Sequence, residues 1–568
     1  MKSASGINNL LIEITSGRQT RMEFNERHRS IGKQVKILID NVILAISMNS
    51  SMLSVQEIHD HLAKYVKIPE SWRSKNYAFE FVECIDAVVI EAIMGEIRDS
   101  QFHTLIVDES TDISVTKMLI IYIKYRPTAA KCHRTYFAGI VKLTACDSRT
   151  IYEAIKKFYA DNQLDVQKMV MFTSDGASVM LGKSNGVAAL LRAEVPHLTV
   201  QHCVAHREDL GIDDAWKNLT LMKDIELLLR TVYTTFSRSS VKKAEFEELC
   251  NVADHDAISF RPLNEVQWMS RYFAVKAISR NYMMLIDYFT KQVDEDNDPI
   301  AKHCLKKLKD PQVHVAVMVL NNVLAELAEL CCVFQCSCIT TLEAVQFAKA
   351  KINKLQLQYL AQTVNWSDEV VELLSKDQFV DVDTAAILRF IQRVCIHLQE
   401  RFPEGEVEEW VAFDTQAIQV QTDFQFGNQE LLKLCAKYNH FLTKNGDDTK
   451  NMLIKEYNEF KFILNEKIKS GTLKTFSDVV SYGLEEDKFS NLATLLDICG
   501  TFQASSADAE RGFSLMNNIK TKSRNRLEAD HLDMLMRIKF YLTSGQNIDL
   551  EAVYLFWKSD KNRRQKKE

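Results

Sequence analysis

A mixed α/β sheet carried within a much larger amount of helix is the fold class that this sequence predicts. Apolar, strand-forming runs end abruptly in a carboxylate at Thr104–Asp108 and again at Lys168–Asp175. Between them lie two further strand-like runs, Met118–Tyr125 and Thr135–Val141, and one stretch with helical spacing, Ile151–Tyr159. Before residue 100, and almost everywhere after residue 206, apolar positions recur at helical spacing instead.

The bulk properties narrow the class further. A chain of 568 residues exceeds what one hydrophobic core serves, so two to four structural units are expected. With 46% apolar and 26% charged residues the composition is that of a globular protein, and no apolar run is read as long enough to cross a bilayer, so no membrane partner is expected. The N-terminus lacks the charged, apolar and small-residue pattern of a secretory signal, which predicts a reducing compartment. The 13 cysteines accordingly read as scattered buried thiols rather than a disulfide framework. A net charge of −6 excludes a uniformly basic, histone-like nucleic-acid binder and leaves any such role to local patches. With 7 prolines and 17 glycines, long low-complexity linkers are excluded too, and no internal repeat is visible.

Taken in order, residues 1–100 form a helical N-terminal region. Val35, Ile37, Leu38, Val42, Ile43, Leu44 and Ile46 supply a wide apolar face, and Ser54 with Glu57 has capping-box spacing ahead of another helix. The basic stretch from Arg18 to Arg29 reads either as an arm or as a solvated terminus. Thr104–Asp108 is then a buried strand that delivers Asp108 to a sheet edge, with Ser110, Thr111 and Asp112 supplying turn chemistry. The next two runs complete a three-stranded antiparallel meander. After the Ile151–Tyr159 helix comes the strand ending at Asp175, then a helix through Leu191 and a fifth strand over Leu198–His206.

The order βββαβαβ is that of the ribonuclease-H-like fold, in which the first and fourth strands are neighbours, so Asp108 and Asp175 are expected to face each other. Helix resumes from Trp216 to Phe236 and from about 270 to 490, for instance over Val313–Leu327 and Leu431–Tyr438. Near the end, Ser505 and Asp508 have capping spacing before a helix that carries Glu510, with Phe513, Met516 and Lys520 along one face. A helix near 528–542 and a charged tail, Lys561–Lys567, close the chain.

Carboxylates gathered at strand ends and on a helix are what a two-metal phosphoryl-transfer centre needs, because Mg²⁺ and Mn²⁺ prefer hard oxygen ligands. Either aspartate alone reads equally well as a cap on the turn that follows it. Cys203 and His206 form half a zinc site that His197 and His202 do not complete, so no structural zinc is predicted. The cluster Cys331, Cys332, Cys336 and Cys338 reads as buried thiols. Lys520, Lys522, Arg524 and Arg526 form either a phosphate-contacting run or a solvated helix face. Lys561–Lys567 is either a nuclear import signal or an ordinary basic tail.

The set as a whole, LIVDEST at 105–111, FTSDGAS at 172–178, Cys203-Val-Ala-His206, Gln267-Trp-Met-Ser-Arg271 and the block Ser505–Leu527, resembles the hAT superfamily of DNA transposases from about residue 90 onward. The resemblance implies a ribonuclease-H-like core over 101–274, split by an all-α insertion over 275–490. The last core helix and the dimerisation region would occupy 491–545, with a tail at 546–568. By motif it makes Asp108, Asp175 and Glu510 the catalytic, metal-binding carboxylates, served by Mg²⁺ or Mn²⁺. It places Cys203 and His206 beside that centre and assigns dimerisation to Arg511, Phe513 and Leu515. Trp268, in its WMSR context, would stack on a flipped base, with Arg271 beside it on DNA; a core aromatic is the alternative for Trp268. The implied protein is nuclear, binds DNA and forms a homodimer or higher oligomer. The chain departs from the family in having no BED-type zinc finger before residue 90 and in the acidic pair Glu208-Asp209, which would repel a phosphate backbone close to the centre. A domesticated, catalytically silent protein that binds nuclear proteins or chromatin is the rival reading.

Overall fold

The computed structural model describes residues 32–565 apart from 112–115, 129, 131, 218, 264–268, 337–338, 380, 421–422, 443–447, 486, 522–523 and 525–526. The basic stretch Arg18–Arg29, Asp112, Trp268, Cys338, Lys522 and Arg526 therefore lie outside the described residues, as do the side chains of Lys561–Lys567. The fold is mixed α/β and mostly helical, with five strands of mixed direction among the described residues. It divides into two compact units: unit 1 comprises Met1–Met169 with Ala509–Glu568, and unit 2 comprises Val170–Asp508.

In unit 1, three strands, β1 (His103–Thr111), β2 (Lys117–Tyr125) and β3 (Arg134–Lys142), form the expected antiparallel meander. β2 is buried on both faces from Met118 to Tyr125, which is why it reads as a continuous apolar run instead of an alternating one. Ile121 pairs with Gly139 and Tyr122 with Phe137, so a bulge leaves Ala138 as the extra residue. Strand β1 runs further than expected. Asp108 sits opposite Ile120 with the ladder continuing to Thr111, so the carboxylate marks the point where burial stops rather than where pairing stops.

The N-terminal helices are α1 (residues 32–47), α2 (Met52–Leu62) and α3 (Lys75–Asp99). On α1 the apolar face is narrower than the sequence predicts: Val35, Leu38, Val42 and Ile46 are buried, whereas Ile37 and Leu44 point to solvent. The cap of helix α2 also lies three residues before the expected one, because Ser51 Oγ, and not Ser54, accepts the orphan N–H, that of Ser54 itself. Helix α4 (Ser148–Asp161) is capped by Asp147, whose carboxylate accepts from Thr150 N at 2.9 Å.

The two ends of the chain complete this unit together. From the helix Ala529–Thr543, Phe540 stacks on Phe137 of β3 at 5.1 Å, and Arg537 reaches Asp86 on α3 with both contacts at 2.6 Å. The same guanidinium bonds Asp533, whose other oxygen accepts from Ile140 N on β3 at 2.7 Å. The helix Leu550–Gln565 begins inside what reads as a charged tail. Its Trp557 is buried against Trp72 and Phe81, an aromatic anchor that outweighs the surrounding charges. Gly512 lies so close to β2 that a Cβ there would stand 2.3 Å from Ile120 Cδ1.

In unit 2, β4 (Met169–Ser174) and β5 (Thr199–His202) pair in parallel. The helix expected to run through Leu191 is instead two, α5 (Ser178–Leu181) and α6 (Val187–Glu194). Gly182 and Gly186 approach each other there, and a Cβ on Gly186 would meet Gly182 N at 2.5 Å. The expected strand Leu198–His206 is also shorter. It yields after His202 to helix α7 (Val204–Lys217), which buries Val204, Glu208, Gly211, Ile212 and Ala215 at helical spacing. The polar character of Glu208 hides that periodicity from the sequence.

The remainder of unit 2, up to Thr501, is helical apart from its connections. Its longest helix, Pro311–Phe334, is long and apolar enough by length and composition to cross a bilayer, against the sequence expectation; over half of its most apolar window is buried, as in a core helix. Its C-terminal turn reaches the surface, so Cys332 and Cys336 are exposed while Cys331 alone of the described cluster is buried, and Cys132 in unit 1 is exposed as well.

Replacing Arg537 with Met is expected to lower the stability of unit 1 by about 3–5 kcal/mol, because Asp86 and Asp533 lose their shared countercharge inside the fold. Arg537→Lys should recover only part of that loss, since an ammonium cannot satisfy two carboxylates in a planar fork. Denaturant unfolding followed by tryptophan fluorescence checks both, and a Met variant within 1 kcal/mol of wild type would contradict the assignment.

Candidate functional site

The three expected carboxylates occupy distinct local settings. Asp108 is half-buried on β1 and its Oδ1 accepts from Glu109 N at 2.8 Å. Asp175 is half-buried directly after β4, with Oδ1 accepting from Ala177 N at 3.3 Å. Glu510 is exposed on the first turn of the helix Ala507–Ile519, where the helix dipole favours an anion. By unit, Asp108 and Glu510 belong to unit 1 and Asp175 to unit 2. Among the described residues of either unit, no three His, Cys, Asp or Glu side chains converge as a metal site. As a donor set the three fit a hard divalent ion, since every ligand is a carboxylate oxygen.

The Cys203–His206 segment works through the backbone around Asp175. Cys203 N donates to Ser174 O at 2.9 Å, which holds the start of α7 against the end of β4. Cys203 Sγ accepts from Ser506 N at 3.2 Å and lies 3.6 Å from Ser505 Oγ, while Val204 N donates to Ala504 O at 3.0 Å. Thr173 Oγ1 donates to Gln503 O at 2.8 Å. Ser505 also caps the next helix by accepting from Ala507 N at 3.2 Å. The segment that leads to Glu510 is thus fastened, within unit 2, to the strand that leads to Asp175. This clamp has little sequence signature, because its bonds are mostly to main-chain atoms.

Sequence reasoning undervalues His202. Its ring packs on Gly176, where a Cβ would lie 2.4 Å from Nε2, and stands 5.6 Å from the ring of His206. Burial first, then the charges of His206, Arg207 and Arg401, hold its pKa down to about 3, so the ring is neutral at physiological pH. The only prior signal is the glycine that follows the strand-end aspartate.

The expected DNA contacts are differently placed. Arg271 is committed to Asp213 at 2.9 Å and lies over the Trp216 ring at 5.5 Å, with its side chain mostly buried. Lys520 is buried just past the end of its helix and Arg524 is half-buried. Of the residues assigned to dimerisation, Arg511 is exposed and Phe513 and Leu515 are half-buried.

The acidic pair next to the Cys-x-x-His segment does not present two charges to a phosphate backbone. Glu208 is fully buried on α7 and neither carboxylate oxygen has a hydrogen-bond partner. Burial, reinforced by Asp209 and only partly opposed by Lys351, pushes its pKa well above the usual carboxylate range.

Two families match the chain. Residues 52–186, which contain Asp108 and Asp175, match a family described as the ZMYM1/FAM200 RNase-like domain. Residues 459–542, which contain Glu510, Arg511, Phe513 and Leu515, match the hAT family C-terminal dimerisation region.

Glu208→Met is expected to stabilise unit 2, since a similar volume is kept and two unpartnered oxygens are removed. The gain should grow with pH. Above about pH 4.5 the unfolded chain releases a proton that native Glu208 keeps, so wild-type stability falls as pH rises, by at most about 1.4 kcal/mol per pH unit, until the native pKa is reached. Calorimetry of both proteins at about pH 5 and about pH 8 reads this; a difference independent of pH would show that Glu208 is not held neutral.

Proposed function

We propose, from the premise that this chain belongs to the hAT family of transposases and transposase-derived proteins, that it cuts and joins DNA strands at a ribonuclease-H-like centre. The observation that carries this reading is the clamp formed by Thr173, Cys203 and residues 503–506. More than 300 residues intervene between Asp175 and Glu510, yet hydrogen bonds fasten the segments that lead to them. A strand-borne Asp108 within the same RNase-like match as Asp175 agrees with it.

In this proposal Asp108, Asp175 and Glu510 hold two Mg²⁺ or Mn²⁺ ions. Bound there, the ions would lower the pKa of an attacking water or 3′-hydroxyl and neutralise the leaving oxygen. The protein's own part is positioning. His202, neutral and packed against Gly176, supports the loop that carries Asp175, and Cys203 holds the approach to Glu510. The C-terminal match supports a homodimer or higher oligomer. The nucleus is the proposed site of action, with Lys561–Lys567 as its import signal.

One observation favours a second reading, a catalytically silent scaffold that binds chromatin or nuclear proteins. Arg271 is engaged by Asp213 and Lys520 is buried, which supports it.

The test is strand nicking and joining of duplex DNA by the full chain in Mn²⁺. The transposase reading expects activity that Asp108→Asn, Asp175→Asn and Glu510→Gln each reduce to background, with circular dichroism and Tm near those of wild type. Wild-type protein with no metal-dependent cleavage across a random-sequence substrate pool would overturn it in favour of the scaffold.

A further inference from the structure

We infer that Phe424 and Phe462, two exposed rings of unit 2, form an anchor point for a second copy of this chain; the inference rests on the dimeric reading above. The rings lie 5.9 Å apart at 30° to one another, with Phe424 54% and Phe462 52% exposed. Exposed phenylalanines scattered singly call for no explanation, but this pair is built.

The construction begins with a buried lysine. Lys461 precedes Phe462 on the helix Asp448–Lys469 and is only 5% exposed. Its ammonium donates to the carbonyls of Phe424 and Phe426 and lies 5.2 Å over the Tyr457 ring and 5.4 Å over that of Phe424. A cation drawn out of water in this way ties the turn at 424–427 to the helix. Gly427 ends that turn at φ +80°, and a Cβ there would lie 1.9 Å from Tyr457 Oη, itself fixed by donating to Ala412 O at 2.8 Å. Phe424 is therefore held outward beside Phe462 by its own backbone. A loose turn would let the ring fold inward. Rigid aromatic anchors that lose little freedom on association are the residues that dominate binding energy.

The surroundings select the occupant. Phe462 lies within the residues that match the hAT dimerisation region. Along the same exposed face of the helix stand Lys455, Glu459, Glu466 and Lys469, two cations and two anions spaced three and four apart. An apolar centre flanked by charges is the usual plan of a protein interface. The balance also matters: a molecule with net charge −6 meets its copy without added repulsion only across a neutral face. Glu459 and Glu466 disfavour a nucleic-acid backbone at the same place.

Sedimentation velocity of the full chain across a concentration series tests this. Wild type should dimerise, and the double variant Phe424→Ser/Phe462→Ser should weaken the dimer by at least about tenfold in Kd. Phe462→Leu should keep most of the affinity. Because both rings also lie against the Lys461 ammonium, circular dichroism checks that the double variant stays folded at the temperature of the measurement. A double variant that dimerises like wild type, while Phe513→Ser does not, would overturn the inference and leave the dimeric reading standing. A wild type that stays monomeric throughout would overturn both.

Discussion

One guanidinium, Arg537, held between Asp86 and Asp533, closes unit 1. Its partners lie on α3 and on the helix Ala529–Thr543, more than 400 residues apart in the chain, and Asp533 also receives a backbone N–H from β3. Gly139 leaves the space for this: a Cβ there would come within 3.3 Å of Asp533 Oδ1 and 3.5 Å of Arg537 Nη2. A buried charge cluster contributes less net stability than apolar groups of the same volume would, but it accepts only one arrangement of the elements that supply it. The aromatic contacts of Phe540 and Trp557 add apolar burial to an alignment that the charges specify.

Unit 2 has its own long-range closure, made from uncharged parts. Thr173, Cys203 and Val204 bond to residues 503–506 chiefly through main-chain donors and acceptors. Such bonds tolerate many side chains and demand one backbone path. A large helical segment can therefore sit between Val204 and Thr501 without disturbing the geometry of its ends. Cys203 and Ser505 are employed as a sulfur acceptor and a helix cap, so the Cys-x-x-His pattern is explained by architecture before any chemistry is invoked.

What was legible in the chain follows from how each element is stabilised. The meander β1–β3, helix α4 and strand β4 are specified by local apolar runs and caps, and the sequence names each of them within a residue or two, save that β1 continues past Asp108 to Thr111 and α4 starts three residues earlier, at Ser148. Misreadings occur where the deciding interaction is tertiary. Helix α7 was hidden because one of its core positions is Glu208, a carboxylic acid buried without a partner. The break between α5 and α6 depends on two glycine backbones touching. The charged tail conceals Trp557, whose aromatic neighbours come from Trp72 and Phe81. Arg271 and Lys520 look like free cations in one dimension and are engaged or buried in three. The motif carboxylates were legible as residues, whereas the clamp that leads to two of them was not, since backbone atoms carry no letter code.

The closure of unit 1 has a consequence for synthesis. Strands β1–β3 are translated well before the helix that stacks on β3 through Phe540, with all of unit 2 between them. At ordinary elongation rates the interval is on the order of tens of seconds. Throughout that time the nascent sheet exposes Tyr122 and Phe137, the rings that Phe540 later meets, while unit 2 emerges as an intervening segment. Unit 1 is therefore completed only after unit 2 has been made, and a premature stop anywhere before Arg537 would leave a sheet without the helix that covers it.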